Sequence, residues 1–367
     1  MRRIFTVLTS IALTFALSFS AAFASDDAFL KSQNYLKTIT LDSPDAVIAY
    51  EAAGMEADYK ADALLNNFKE TDYTTASYGD LAKSIIAISL LGENPTDFNK
   101  TNLVEILENR VQEDGTLTND VNGGCGATIW TLMALETVNS PKVKAVADKL
   151  STMAMDNGAY WYEYQGPNAD LDTTGWAMEA LSVAGRSTYD AAISKAYTFV
   201  QSKLNSTYGY YDNWGGNADT QSCVLEGLSV AGYTLDTNAY NYLLSYQNED
   251  GTFNALNYSS FQLEPNAYAS VEGARALGVI NNGSFVLKAR NDYTKTTTPV
   301  VTEPETPTTP NTTTPAVKPE TTTTTTEPKK ETVKVVNTGD NTNVMAYVVA
   351  AIAAVGVIVL VIKSKKK

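Results

Sequence analysis

The sequence contains no histidine and only two cysteines among its 367 residues. Histidine is the usual proton shuttle near neutral pH and a common zinc ligand. Its absence leaves carboxylates as the candidates for acid–base chemistry, and we predict no metal and no cofactor. Cys125 and Cys223 fall in sequence repeats, described below, that are not neighbours. A disulfide between them is open in an exported chain, but we favour two buried thiols.

Basic residues are scarce as well. The chain carries 27 Lys and Arg against 41 Asp and Glu, which gives a formal net charge of −14. Such a chain repels phosphate backbones and anionic headgroups. The charge therefore argues against nucleic acid as a partner and against electrostatic docking on a lipid surface. Solubility is the simpler consequence of an acidic surface.

Both ends of the chain have the pattern of targeting segments. Residues 1–24 combine Arg2 and Arg3 with an apolar stretch and a small-x-small cleavage sequence, which predicts a secretory signal peptide. Residues 344–362 carry no charge and are followed by lysines. At about 1.5 Å per residue this stretch just crosses the core of a bilayer. We therefore expect a C-terminal transmembrane helix that ends in the cytoplasm.

A Thr-Gly pair precedes this predicted membrane span. Thr338 and Gly339, followed by the apolar stretch and the basic tail, resemble the sorting signal of wall-anchored proteins of Gram-positive-type bacteria. In that family a sortase cuts between the two residues and joins the threonine to peptidoglycan. Val335 and Val336 stand where the usual motif has Leu-Pro. Residues 336–367 are thus predicted to hold the protein at the cell surface, in the membrane or in the wall.

A stalk is predicted between the anchor and the rest of the chain. Residues 293–335 are rich in Thr, Pro and Glu and show no apolar periodicity. Because proline blocks regular structure, we expect an extended, disordered segment. It would carry a single head domain, residues 25–292, away from the cell surface.

The head is organised around a stretch that recurs. Residues 170–185 have the pattern of one helix, with Asp172 as the expected N-cap, one apolar face, and a glycine at the end. Residues 219–232 repeat the pattern 47 positions later, with Asp219 at the capping place. Helices of this kind share an apolar marker position, which is occupied by Ile88, Leu135, Leu181, Leu228 and Ala274. Gly278 is expected to end the last of them.

Helices of a second kind, with more charge on one side, are expected between the first. They fall at residues 29–38, 56–68, 98–111, 142–155, 189–204 and 237–247. A helix that is apolar nearly all round is buried, and one with a polar face lies outside. A fixed period of this length indicates a repeat architecture. Six pairs without polar capping repeats favour an all-α (α/α)6 toroid, with six inner and six outer helices, over an open solenoid.

The turns after the outer helices repeat too. Glycines at positions 115, 158, 209 and 251 permit a tight turn, and in three of the four an aromatic residue follows. Such Gln-x-x-x-Gly-x-aromatic turns, with inner helices that begin Asp-Thr-Thr or Asp-Thr-Gln, resemble the terpenoid cyclase/prenyltransferase toroid superfamily. The likeness covers nearly the whole head. The sequences of the inner helices are most similar to a secreted branch of the superfamily that is related to cobalamin carriers. Those carriers add a small β domain, whereas the stalk follows here.

The resemblance implies several chemistries. Squalene-hopene-type cyclases use the middle Asp of Asp-x-Asp-Asp-Thr as an acid, which would be Asp172 here, with Asp170 before it and Thr173 in place of the third Asp. Protein prenyltransferases bind zinc through Asp, Cys and His, a set that a chain without histidine does not provide. Complement-type domains form a thioester between Cys and Gln, but Thr128 stands where the Gln is needed after Cys125.

A catalytic alternative remains open. Glycoside hydrolases also use (α/α)6 barrels, and they need two carboxylates about 5–10 Å apart. Asp172 and Asp219 on adjacent inner helices suit this requirement, with Asp170 or Glu264 as further candidates. The alternative function is therefore a cyclase-like or hydrolase-like enzyme with Asp172 as general acid.

Binding is the main functional prediction. Loops ahead of the inner helices are rich in aromatic and amide side chains, which should gather at one mouth of a toroid. Aromatic bodies with polar tips suit a sugar, a flat cofactor or a peptide. The candidate ligand-binding residues are Tyr160, Trp161, Tyr162, Tyr210, Tyr211, Trp214, Tyr258 and Phe261. We expect a bacterial surface protein whose head binds an extracellular ligand, such as a glycan, a corrinoid-like cofactor or a peptide, or mediates adhesion.

Overall fold

The computed structural model describes residues 26–57, 62–120, 123–162, 166–211, 217–257 and 259–297. These residues form thirteen helices and one two-stranded sheet, which confirms the predicted all-α class. Within this part of the chain no helix is long and apolar enough to cross a membrane. The predicted signal peptide, the sorting pair Thr338 and Gly339, and the span at 344–362 lie outside the described residues.

Two kinds of helix alternate along the described chain. The core helices are buried on nearly every side, and in one of them every residue is buried. They are α2 (Pro44–Ala52), α4 (Tyr78–Leu90), α6 (Cys125–Thr137), α8 (Leu171–Gly185), α10 (Ala218–Val230) and α12 (Ala267–Asn282). The flanking helices bury one side only. They are α1 (Asp26–Leu36), α3 (Asp62–Glu70), α5 (Leu103–Glu108), α7 (Val143–Met153), α9 (Asp190–Ser202) and α11 (Thr237–Leu244).

The contacts between core helices form a closed cycle. Each core helix packs on the next one in the sequence, and α12 packs on α2. Helices α10 and α12 run in the same direction, because Cys223 meets Glu272 and Glu226 meets Arg275, three residues further along both helices. The carboxyl ends of α12 and α2 also meet, where Asn282 donates to Ala52 O. Helix α1 packs on both α12 and α2, so the first flanking helix covers the junction between the last and the first core helices.

Side-chain caps begin five of the core helices. Each cap accepts a hydrogen bond from the backbone N–H three residues on, and the caps are Ser43, Ser77, Asp170, Asn217 and Asn266. The prediction that Asp172 caps α8 is wrong. A bridge to Tyr160 holds Asp170 in an extended conformation, and its Oδ1 accepts from Thr173 at 2.7 Å. Asp172 and Asp219 instead lie inside the first turns of α8 and α10.

The turns after the flanking helices share one hydrogen-bond pattern. After α11, Asn248 N–H donates to Thr252 O, and Gly251 N–H donates to Asn248 O. Gly251 has a φ of 84°, and a Cβ at this position would lie 2.1 Å from Lys31 O of α1. The turn glycine therefore lets the backbone of the next flanking helix touch the turn. In the last repeat this contact joins the turn to the first helix.

A second repeated bond ties each turn to the following core helix. The N–H of the residue after the turn donates to a side-chain oxygen in the first turn of the helix, at 2.7–3.0 Å. The pairs are Tyr160 with Thr174, Tyr210 with Gln221, and Phe253 with Ser270. The polar residues that open these core helices thus have a structural purpose.

The last repeat departs from the alignment that the sequence predicts. A hairpin separates α11 from α12, formed by β1 (Phe253–Asn257) and the antiparallel β2 (Gln262–Asn266). It shifts α12 so that Glu272 meets Cys223 and Arg275 meets Glu226, at a separation of 49 residues rather than the expected 46. The hairpin was not predicted, because its residues fell within the loop that was expected before the last inner helix.

This shift changes the expected roles of two residues of α12, the marker residue Ala274 and the helix-ending Gly278. Leu277, rather than Ala274, lies at the marker position 49 residues after Leu228. The prediction that Gly278 ends the last core helix is wrong, since α12 continues to Asn282. A Cβ on Gly278 would lie 2.6 Å from the backbone of Ala52, so this glycine serves the contact between α12 and α2.

One further helix follows the last core helix. Helix α13 (Phe285–Thr297) packs on α2, α4 and α6. Lys288 pairs with Glu51 near the end of α2, and Arg290 pairs with Glu136 near the end of α6, both at 2.8 Å. Positive charges are favourable at the carboxyl ends of helices. Helix α13 therefore lies across the carboxyl ends of these core helices, and it runs past residue 292, where the sequence places the start of the stalk.

We predict that Gly251→Ala destabilises the protein more than Gly92→Ala. Both glycines have a positive φ, so both alanines carry a left-handed strain of about 1–2 kcal/mol. At Gly251 the new methyl group also overlaps Lys31 O, whereas nothing lies within 4 Å of Gly92. Urea unfolding should show G251A about 2 kcal/mol less stable than G92A, as expected for overpacking. Equal losses would mean that the turn and α1 are not in direct contact.

Candidate functional site: a cavity and a buried carboxyl cluster

A cavity of about 610 Å³ lies at the amino ends of α4 and α6. Its volume is in the range of small-molecule sites. The wall combines aromatic rings with hydroxyl, amide and charged groups, contributed in part by Tyr78, Asp80, Lys83, Asn109, Asn119, Asp120, Trp130 and Tyr162. Such a mixture offers both ring faces and hydrogen-bonding groups to a ligand.

Two glycines at the second helical position open this cavity. Gly79 of α4 and Gly126 of α6 line it, whereas the corresponding positions of α8, α10 and α12 carry Asp172, Asp219 and Tyr268. A Cβ at Gly79 would meet only Ser77 Oγ, at 3.9 Å. The missing side chain at Gly79 therefore leaves room for a ligand rather than allowing close backbone packing.

The cations in the wall are already engaged. Lys83 Nζ lies 2.9 Å from Asp45 and 4.5 Å from the centroid of the Trp130 ring. Arg110 donates to three backbone carbonyls of the loop before α4 and lies over the Tyr78 ring. These contacts fix the wall. The wall also holds two carboxylates, Asp80 and Asp120, against these two cations, so the cavity suits an uncharged polar ligand.

A second group of polar residues lies among α8, α10 and α12. We call it the carboxyl cluster: Asp172, Glu179, Asp219, Glu226 and Glu272, with Arg275 and Cys223. Asp172 and Asp219 are half-buried, and the other five are buried. Arg275 is 1% exposed, its Nε lies 3.0 Å from Glu226, and its Nη1 lies 3.5 Å from Glu272. Cys223 forms no disulfide and donates from Sγ to Glu272. Cys125 is also buried and in no disulfide, as the sequence favoured.

The cluster holds more carboxyl groups than cations, and this shifts their protonation. Burial, together with the charge of Glu272, raises the pKa of Asp219 to about 7. Burial and the neighbouring Glu226 raise the pKa of Glu179 well above its ordinary value. Burial and the charge of Glu272 likewise raise the pKa of the Cys223 thiol, so it stays protonated at neutral pH.

Helices α8 and α10 pack closely along two glycines. A Cβ on Gly175 would lie 2.3 Å from Cys223 O, and a Cβ on Gly227 would lie 2.2 Å from Gly175 O. Ordinary helix pairs are about 8–10 Å apart, so helices in backbone contact are at or below this spacing. Asp172 and Asp219 sit one turn nearer the amino ends, at equal depth. Both carboxylates therefore lie at the amino ends of two closely packed helices.

The three predicted catalytic residues have different environments in the structure. Asp170 is buried and caps α8, so its carboxylate is committed to the fold. Asp172 is half-buried, and its charge contributes to the raised pKa of Cys223. Asp219 carries the raised pKa. Asp172 and Asp219 thus lie on adjacent core helices, while Glu264 lies on the hairpin and accepts from Asn257.

The predicted aromatic residues fall in several environments. Tyr160 and Tyr210 are fully buried and pack the turns, so their rings do not face a ligand. Trp161 is half-buried, and its carbonyl accepts from Cys125. Tyr162 lines the cavity. Tyr211 is exposed and Phe261 is 75% exposed, while Trp214 and Tyr258 lie outside the described residues.

Several cavity residues were missed from the sequence. Trp130 was expected in the core; it is indeed buried, but it also lines the cavity. Lys83 gave a usable signal, because a lysine in an apolar helix needs a partner or a polar cavity. Gly79 and Gly126 gave another, since they replace the larger residues found at that position in the later repeats.

Comparisons with known proteins add little. No protein-family model matches the chain, and no curated protein matches it. The solved structures that match include one described as a protein from Actinoplanes. That match has 12% sequence identity and a TM-score of 0.48, and it covers 70% of this chain and 98% of the other. A likeness of this strength carries no argument about function.

We predict that Asp219→Asn stabilises the protein at high pH only. A raised folded pKa means that Asp219 binds its proton more tightly in the folded state than in the unfolded state. Stability from this group is therefore lost as pH rises from about 4 towards 7. Asparagine cannot ionise. The melting temperature of D219N should exceed that of the wild type at pH 8, and the difference should disappear near pH 4. A gap that stays constant with pH would contradict the raised pKa.

Proposed function

We propose that the described residues form the (α/α)6 toroid that the sequence predicts, within the terpenoid cyclase/prenyltransferase toroid superfamily. The closed cycle of core helices supports this architecture, as do their alternation with flanking helices and the position of α1 over the last junction. The repeated glycine turns and the Asp-Thr-Thr and Asp-Thr-Gln helix starts support the family assignment.

The proposal includes display at the surface of a Gram-positive-type bacterium. The signal-like residues 1–24, the Thr/Pro-rich stalk, the Thr338–Gly339 pair and the apolar stretch at 344–362 support export and anchoring in the membrane or on peptidoglycan. Helix α13 covers carboxyl ends of core helices, and the cavity lies at the amino ends of α4 and α6.

The head binds a neutral carbohydrate in this cavity. The observation that carries the proposal is a wall of aromatic and polar groups in which two cations are balanced by two carboxylates. Sugars present apolar ring faces and many hydroxyl groups, and such a wall meets both. Tyr78 and Tyr162 supply aromatic surface, while Asp80 and Asn109 supply polar groups for the hydroxyls. A hydrocarbon polyprene lacks hydroxyls and would leave these polar groups without partners.

The carboxyl cluster favours one second candidate, a glycoside hydrolase. A carboxylic acid with a pKa near 7 suits a general acid, which points to Asp219 as the acid, with Asp172 as its partner carboxylate. The sequence alone had favoured Asp172 as the acid. Chromatography of incubated oligosaccharides separates the two functions. A binder leaves them intact, whereas a hydrolase releases shorter sugars and loses that activity in Asp219→Asn.

We predict that Gly79→Phe abolishes carbohydrate binding without unfolding the protein. The new ring would extend into the cavity, because a Cβ at Gly79 meets open space and the residue does not have a left-handed φ. Titration calorimetry with neutral tetrasaccharides such as chitotetraose and maltotetraose should show binding by the wild type and at least a tenfold weaker Kd for G79F. Because Trp130 lines the cavity, tryptophan fluorescence should change on binding.

A matched control places the same side chain on a flanking helix. Thr198→Phe adds an exposed phenyl ring to α9, away from the cavity-lining residues. It should leave the affinity unchanged. Equal affinity of G79F and T198F would exclude the cavity as the binding site, and circular dichroism should show that both variants keep their helix content.

A further inference from the structure

The turn after α9 differs from the other three turns of its kind. Gly115, Gly158 and Gly251 occupy the left-handed position, with φ between 82° and 89°. In the turn after α9 that position belongs to Tyr208, with a φ of 66°. The hydrogen bonds establish the equivalence, because Tyr208 N–H donates to Asn205 O just as Gly251 N–H donates to Asn248 O. The glycine expected to form this turn, residue 209, lies one residue later.

A tyrosine is an unfavourable choice for this position. The left-handed conformation brings a Cβ close to the following carbonyl oxygen, and bulky residues rarely adopt it. The three equivalent turns use glycine, so the turn itself does not require a side chain. The core does not require the ring either, since Tyr208 is 42% exposed. Backbone strain of this kind is concentrated at functional positions.

Two more tyrosine rings lie beside the next residue in the chain, Gly209. A Cβ on Gly209 would lie 2.5 Å from the Tyr211 ring and 2.7 Å from the Tyr242 ring, so both rings rest against this glycine. Tyr211 is 36% exposed, and its hydroxyl lies 2.7 Å from that of Tyr242. The turn therefore gathers tyrosines at the surface instead of burying them.

Hydrogen bonds hold this group in place. Tyr246 donates to the Tyr242 hydroxyl at 3.2 Å, and the two rings meet edge to face. Asn205 Oδ1 accepts from the backbone of Thr207 and Gly209, at 2.9 and 3.0 Å, which fixes the turn that carries Tyr208. Rings that are already ordered lose little entropy when a ligand stacks on them.

We propose that Tyr208, Tyr211 and Tyr242 form a carbohydrate-binding platform that is distinct from the cavity at α4 and α6. Exposed ring faces stack on the apolar faces of sugar rings, and the phenol hydroxyls exchange hydrogen bonds with sugar hydroxyls. The platform contains no charged side chain, so its chemistry fits a neutral polysaccharide rather than an acidic or basic one. It is carried by its own observation and does not depend on the cavity.

The test exploits the strain at Tyr208. Tyr208→Gly in the full-length protein, purified in detergent, should raise the melting temperature by about 2 °C, because glycine adopts a positive φ without a steric cost. The same variant should lose about tenfold in retention on insoluble chitin and cellulose, since a stacking ring is gone. Tyr208→Phe keeps the ring and should restore retention on the same two polysaccharides.

Each other result overturns the platform. If Y208G gains stability and retention is unchanged, the tyrosine does not bind carbohydrate. If the wild type is not retained on either polysaccharide, the surface has another partner, such as a peptide. Gly79→Phe separates this proposal from the cavity. If G79F loses tetrasaccharide binding but is still retained on chitin, the protein has two separate sites. If G79F loses both kinds of binding and Y208G loses neither, the cavity is the binding site and the platform is excluded.

Discussion

One buried cation governs the electrostatics of the core in the part of the chain that the structure describes. Arg275 lies among the carboxyl groups of the cluster and is almost inaccessible to water. Removing ions from water is costly unless they are paired, so carboxyl groups beyond those that Arg275 neutralises must bind protons or partly keep water. The pair with Glu226 joins α12 to α10, and the raised pKa of Glu179 extends the same effect to α8. Burial and the charge of Glu272 raise the pKa of Asp219 in the same way.

The amino ends of the core helices form two halves that differ in the residue at one helical position. Around α4 and α6, glycines leave a cavity; around α8, α10 and α12, the same helical position carries Asp172, Asp219 and Tyr268. The contact between Trp130 and Trp176 lies at the boundary of the two halves. The cavity lining includes neither Asp172 nor Asp219. Binding in the cavity and acid catalysis at the cluster are therefore separate hypotheses, each with its own group of residues.

The sequence predicted the helical class because helices that are apolar on nearly all sides, repeated at a fixed period, can be recognised in the residue pattern. It failed where a local choice depends on tertiary contacts. Asp170 and Asp172 are both good caps, and only the bridge to Tyr160 selects Asp170. The hairpin before α12 moved the register by three residues, because short strands in a loop leave no period. Helix α13 lacks a strong apolar face, and its ion pairs with Glu51 and Glu136 become visible only in three dimensions.

The same reasoning applies to the site, and it explains the kind of ligand that we propose. The amino ends of parallel core helices share a positive field from their backbone dipoles. Acidic residues in the first turns, among them Asp45, Asp80, Asp172 and Asp219, offset this field. An anion would meet these carboxylates, and a cation would meet the helix dipoles. An uncharged ligand with many hydroxyl groups avoids both penalties and still uses the donors and acceptors of the wall, which is the chemistry of a neutral sugar.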